Sequence, residues 1–132
     1  MNKPLKLKTT WSILGLILVF QVIYLSLTPR PPQIQSSIFP MDKVGHFLAY
    51  ALLVFWYIQI SHPKRYFFYF IGFSFMGVCL EFVQRSLGFR SFEYLDMLFN
   101  TLGAGISFLF FRKWGDQLLV TLEKIFLRDK ND

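Results

Sequence analysis

The chain has one cysteine, two histidines and only eight acidic residues among its 132. A lone Cys79 excludes an intramolecular disulfide, and no Cys-x-x-Cys pair or Cys/His set offers the spacing of a structural metal site. Charge is scarce as well. With 17% charged against 54% hydrophobic residues, and a mean hydropathy of +0.42, too little polar surface remains to coat a soluble domain of 15.6 kDa. No internal repeat, low-complexity tract or second domain is visible.

What the chain has instead is long uncharged runs. Between Lys8 and Arg30 lie 21 residues without a charge, between Lys43 and Lys64 another 20, and between Arg65 and Arg85 a run of 19 broken only by Glu81. A hydrocarbon core of about 30 Å needs roughly 20 helical residues, so each can cross. A fourth run, Tyr94 to Arg112, begins with Asp96, whose end must sit in protein or at the interface. The 17 phenylalanines suit lipid-facing and interhelical packing.

These runs predict an all-α membrane protein with four transmembrane helices, at about 11–28, 44–60, 66–84 and 95–111, and a C-terminal amphipathic interfacial helix. Residues 1–113 then form the transmembrane domain and 114–132 a cytoplasmic tail. In that tail Trp114, Leu118, Leu119, Leu122, Ile125 and Phe126 recur at helical spacing, while Asp116, Glu123 and Lys124 fall elsewhere. The stretch Pro29 to Met41 holds four of the six prolines and reads as an extended outer loop. Ser61-His62-Pro63-Lys64-Arg65 reads as a short inner turn, and Gly88 as the turn of a second outer loop.

Orientation follows from the basic residues. With the N-terminus inside, ten of the 14 lysines and arginines fall on the inner side and four, Arg30, Lys43, Arg85 and Arg90, on the outer. That bias places both termini in the cytoplasm. Counting acids as well, the whole formal charge of +6 is internal. A basic face beside anionic lipid requires no nucleic acid to explain it. Trp11, Trp56 and Trp114 fall near the same boundary, as an aromatic belt does. The first run is longer than a signal-peptide core and ends in Thr28-Pro29-Arg30-Pro31-Pro32, without a small-residue cleavage site.

Alternating crossings bring three polar ends into one leaflet: Asp42 and His46, Glu81 and Gln84, Asp96 and Asn100. Residues four apart differ by about 40° around a helix, so each pair shares a face. Singly, each has a structural reading: Asp42 as a helix cap, Arg85 and Arg90 snorkelling to headgroups, Asn100 bonding between helices. Glu81 lies inside an apolar run and needs a partner, for which Arg85 or Arg90 is the expectation. Gly103 and Ser107 allow span four to approach another span, bringing Asp96 and Asn100 toward Glu81. His62, beside Pro63, reads as solvated.

The strings Asp42-Lys43-Val44-Gly45-His46-Phe47, Glu81-Phe82-Val83-Gln84, Arg90-Ser91-Phe92 and Asp96-Met97-Leu98-Phe99-Asn100-Thr101-Leu102-Gly103 together resemble the VanZ-like family, named for a bacterial teicoplanin-resistance protein. The resemblance runs from about Ser26 to Gly105 and leaves the tail outside. It implies a small multi-helix bacterial membrane protein whose polar motif positions are Asp42, Lys43, His46, Glu81, Gln84, Arg90, Asp96 and Asn100. It carries no assigned reaction.

Two functional classes follow. The preferred one is an outward-facing pocket in the bacterial cytoplasmic membrane, built from those eight residues, that binds or shields an envelope component such as a lipid-linked precursor or a glycopeptide. The other is an intramembrane enzyme acting on a lipid-linked or phosphorylated headgroup, with His46 as acid or base, Glu81 or Asp96 orienting it, and Lys43 or Arg90 holding a phosphate. No cofactor is expected. A divalent cation on Asp42, His46, Glu81 and Asp96 suits either class, but oxygen ligands with one imidazole identify no metal, and none is assigned. A transporter fits less well, since the polar groups occupy one leaflet only, unless the chain oligomerises.

Orientation is testable by cysteine labelling. In a Cys79→Ser background, the Lys64→Cys variant is expected to resist a membrane-impermeant maleimide in intact cells and to react once the inner face is opened. Labelling in intact cells would reverse the topology.

Overall fold

The structure, a computed structural model, describes residues 5–29, 41–88, 92–115 and 117–128. The expected outer loop over 30–40, Arg90 and the end of the tail lie outside the described residues. Among the described residues five α-helices follow in order: α1 Lys8–Leu27, α2 Met41–Ile60, α3 Tyr66–Leu87, α4 Tyr94–Trp114 and α5 Leu118–Arg128, with a 3-10 turn at Pro63–Arg65 before α3. The first four are long and apolar enough to cross a membrane. Each extends beyond its expected limits at one end or both, because interfacial polar groups extend a helix beyond its uncharged run. Asp42 therefore lies inside the first turn of α2, where its charge favours the helix N-terminus.

Helix α2 is the centre of the bundle. It packs most extensively on α4 and also meets α1, α3 and α5. The buried core joins Tyr50, Leu53, Val54 and Ile58 of α2 to Tyr66 and Phe73 of α3 and Ala104 of α4. Helices α2 and α4 run parallel, since Lys43 meets Asp96 near their starts and Phe55 meets Phe111 near their ends. Their approach depends on Gly103, where a Cβ would stand 2.1 Å from the Phe47 carbonyl oxygen, far inside van der Waals contact. Gly103 thus serves contact with α2, while Gly105 lies against Phe70 of α3. Helix α1 is the peripheral element, with only Gly15 fully buried, against the Trp56 indole. Much of the large apolar surface faces outward on all four spans, which in water would be an aggregation liability and in lipid is the required solvent contact.

Local chemistry sets the helix ends. Gly88 takes φ +73°, the left-handed conformation that glycine adopts without a Cβ clash, and its N–H returns to the Arg85 carbonyl. At the other end His62 caps the 3-10 turn, its Nδ1 accepting from the Lys64 N–H at 3.3 Å. That makes the ring a structural cap, where sequence suggested only a solvated side chain.

The tail is held by two side chains acting on other helices' orphan amides. Gln59, wholly buried at the end of α2, accepts from the Leu118 and Leu119 N–H groups at 2.9 and 3.4 Å and donates to the Gly115 carbonyl. It caps α5 from outside the helix. Glu123 of α5 accepts from the Lys6 and Leu7 N–H groups, each at 2.8 Å, and from the Trp11 indole at 2.7 Å. Glu123 is thus buried against α1, a correction to its expected place on the polar face. Leu118, Ile125 and Phe126 remain exposed, as an interfacial face should.

Burial works against the charged form of Glu123, but the Leu7 and Lys6 amides and the Trp11 indole outweigh it and hold the carboxyl below its ordinary value. A depressed folded value means that the clamp's stability is complete above the unfolded carboxylate range and is lost as pH falls through the folded one. Hydrogen exchange at Lys6 and Leu7 is therefore expected to be slow at pH 7, after correction for intrinsic rates, and to lose protection as the solution is acidified below the ordinary glutamate range. Glu123→Gln should already exchange faster at pH 7 and show little further change on acidification.

Candidate functional site

At the end of the bundle opposite the tail, the first turns of α2 and α4 and the last turns of α3 bring most of the expected polar residues together. Lys43 is the hub. Its side chain enters the bundle and Nζ donates to Asp96 Oδ1 at 2.5 Å, to the Glu93 carboxylate, and to Asp42 Oδ2 at 3.4 Å. Lys43 is 8% exposed and Asp96 only 3%. An ammonium so enclosed is tolerable only because three carboxylates replace its water.

His46 lies one turn beyond Asp42 on the same face. Its Nδ1 meets Asn100 Oδ1 at 2.9 Å, while Nε2 faces Asp96 Oδ2 at 3.5 Å and Asp42 Oδ1 at 3.9 Å. The amide oxygen at Nδ1 and the carboxylates at Nε2 are all acceptors, so the surroundings of the ring call for N–H donors and hold it in one orientation. Room for Asn100 comes from Gly77 of α3, where a Cβ would stand 3.0 Å from the amide nitrogen and 3.1 Å from the Tyr50 ring.

Glu81 is 1% exposed, and its Oε1 accepts from the Glu93 N–H at 3.1 Å. The expected ion pair with Arg85 does not form: Arg85 is exposed and stacks over the Phe92 ring, 5.2 Å from its centroid. A turn further along α3 the arginine points away from the apolar interior, and cation–π contact satisfies it there. Arg90, the other expected partner and candidate phosphate contact, lies outside the described residues. Gln84 also departs from expectation. It is buried, but its amide donates to the Ser26 carbonyl and ties the end of α1 to α3.

Glu93 is the residue that sequence reasoning missed. It stands at the N-cap of α4 with extended backbone, its N–H on Glu81, its carbonyl accepting the Asp96 N–H at 3.1 Å, and its carboxylate on Lys43. The signal was present in the acid three residues before Asp96 at the head of an apolar run, the spacing of a cap and its N3 partner.

A metal could find three ligands here. Asp42, His46 and Asp96 each offer an atom within 4.8 Å of the others. Glu81 stands outside that set, and Lys43 already neutralises both of its carboxylates. A cation would have to displace the ammonium, so this donor set is a poor fit for a resident metal.

A family model described as VanZ/LLP1 matches residues 3–119. The match takes in α1 and the start of α5 as well as the four polar strings. Searches among curated proteins and solved structures return no match.

If Lys43 is the hub, Lys43→Met leaves Asp96 and its neighbours as uncompensated buried charge, at a cost of about 3–5 kcal/mol. Thermal unfolding in detergent is expected to fall markedly, and adding Asp96→Asn should restore part of the loss. Additive damage in the double variant would show that the two side chains are not coupled.

Proposed function

The chain belongs to the VanZ/LLP1 family, and from that premise we propose that it binds a polar cell-envelope component at the outer face of a bacterial cytoplasmic membrane. The observation that carries this reading is the charge balance of the cluster. Four carboxylates, Asp42, Glu81, Glu93 and Asp96, gather around one lysine and one histidine, at the end of the bundle opposite its basic turns. The positive-inside bias turns that acidic end outward. An excess of acceptors favours a ligand that presents ammonium or hydroxyl donors, such as the sugar and peptide portion of a lipid-linked wall precursor or the amine of a glycopeptide such as teicoplanin. A bare diphosphate suits the cluster less, because Lys43 is already committed to three acids. Asp42 and Glu93 keep part of their side chains exposed and are the groups within a ligand's reach, while Glu81 and Asp96 hold the frame beneath them.

One feature favours a catalytic reading as the alternative. His46 is held by Asn100 at Nδ1 and turns Nε2 toward Asp42 and Asp96, whose oxygens would accept from a proton on that nitrogen, the arrangement of an oriented general acid. A lipid-linked headgroup delivered to that nitrogen would be its substrate.

The test is titration of the purified protein in zwitterionic nanodiscs with a lipid-linked wall precursor and with teicoplanin, following both binding and product. Saturable binding without turnover is expected, weakened about tenfold in Asp42→Asn through loss of one charge-assisted contact. Product that disappears in His46→Gln while binding persists would establish the enzyme instead. Absence of binding by both ligands would remove the envelope-component reading.

A further inference from the structure

The basic end of the bundle carries a second feature that the polar cluster does not explain. A cleft of about 770 Å³ opens between the first turns of α1 and the start of α3, floored by the end of α2. Lys8, Lys64 and Arg65 line it, and among the described residues its wall holds no carboxylate. From these features we infer that the cleft is a binding site for one anionic phospholipid, with the phosphodiester at its mouth and an acyl chain along its inner wall.

The layering of the wall supports that occupant. Lys8, Ser12 and Leu16 follow one another at four-residue intervals on one face of α1, about 12 Å from first to last by helical rise. The lining thus passes from cation to hydroxyl to hydrocarbon in the direction in which a lipid passes from phosphate to glycerol to chain. Tyr57 and Tyr69, whose rings pack on each other at 4.9 Å, complete the deeper part with aromatic surface. Free phosphate would use only the mouth and leave this apolar wall without a partner.

Charge decides between headgroups. A zwitterionic lipid brings the same phosphate together with an ammonium, and among the described lining residues that ammonium would meet three cations and no acid. An anionic glycerol headgroup avoids the repulsion and offers hydroxyls to Ser12 and Ser61. The site is independent of the polar cluster, which lies at the other end of the spans. It is also independent of which leaflet the basic end occupies.

Native mass spectrometry of the delipidated protein can read the site, comparing phosphatidylglycerol with phosphatidylcholine of equal chain length, and soluble glycerol phosphate as a third ligand. Wild type is expected to retain one phosphatidylglycerol in clear preference to phosphatidylcholine and to ignore glycerol phosphate. Lys8→Ala with Arg65→Ala should lose about fivefold in retention per cation removed. Lys113→Ala with Lys124→Ala deletes the same charge outside the cleft and should keep the preference. Equal loss in both double variants would reduce the effect to general surface charge. Equal retention of the two lipids by wild type, or competition by glycerol phosphate, would overturn the inference.

Discussion

The close parallel seam between α2 and α4 governs the rest of the molecule. At Gly103 the backbone of α4 comes against the Phe47 carbonyl with no room for a side chain. In apolar solvent there is little hydrophobic force to press two spans together, so van der Waals contact at small residues and polar bonds above them must do it. The seam supplies both. Gly103 and Ala104 allow the approach; one turn away on α4 His46 meets Asn100, and a turn beyond that Lys43 meets Asp96. Without that separation and register, Lys43 would be an unpaired ammonium at the edge of hydrocarbon.

The two ends of the bundle obey opposite electrostatic rules. At one, acids gather around Lys43, whose ammonium serves three of them, while a backbone amide serves Glu81. At the other, cations line a cleft with no acid on its described wall, while Glu123, an acid among the described residues at that end, is engaged by the start of α1. The division suits a protein whose two faces meet different chemistry: polar ligand groups at one, anionic lipid at the other. It also explains the tail. Helix α5 closes the basic end by capping α1 through Glu123 while being capped by Gln59, so a short amphipathic helix gains an orientation that hydrophobicity alone would not impose.

How much was legible beforehand depended on whether a residue's role was local. The four spans, the turn glycine at Gly88 and the gathering of Asp42, His46, Asp96 and Asn100 at one end could be read from run length and from three-and-four spacing. Glu81 was recognised as needing a partner, but among the described residues the donor is a backbone N–H, and backbone donors leave no trace in a list of charged side chains. Gln84 and Gln59 show the same limit. Each looks like a polar residue near the end of an apolar run, and each turns out to serve an orphan backbone group on another helix. Glu123 was assigned to the solvent face because helical periodicity sees only its own helix, whereas α1 lies directly across from it.

By itself the sequence determined that this chain crosses a membrane several times and that its acids and bases collect at opposite ends. Those facts follow from helical rise, bilayer thickness and the cost of charge in hydrocarbon, all of which act on each segment separately. Only the tertiary structure decided which groups meet. Partnership depends on the rotation and depth of each helix relative to its neighbours, and those are set by a contact as small as a missing Cβ at Gly103.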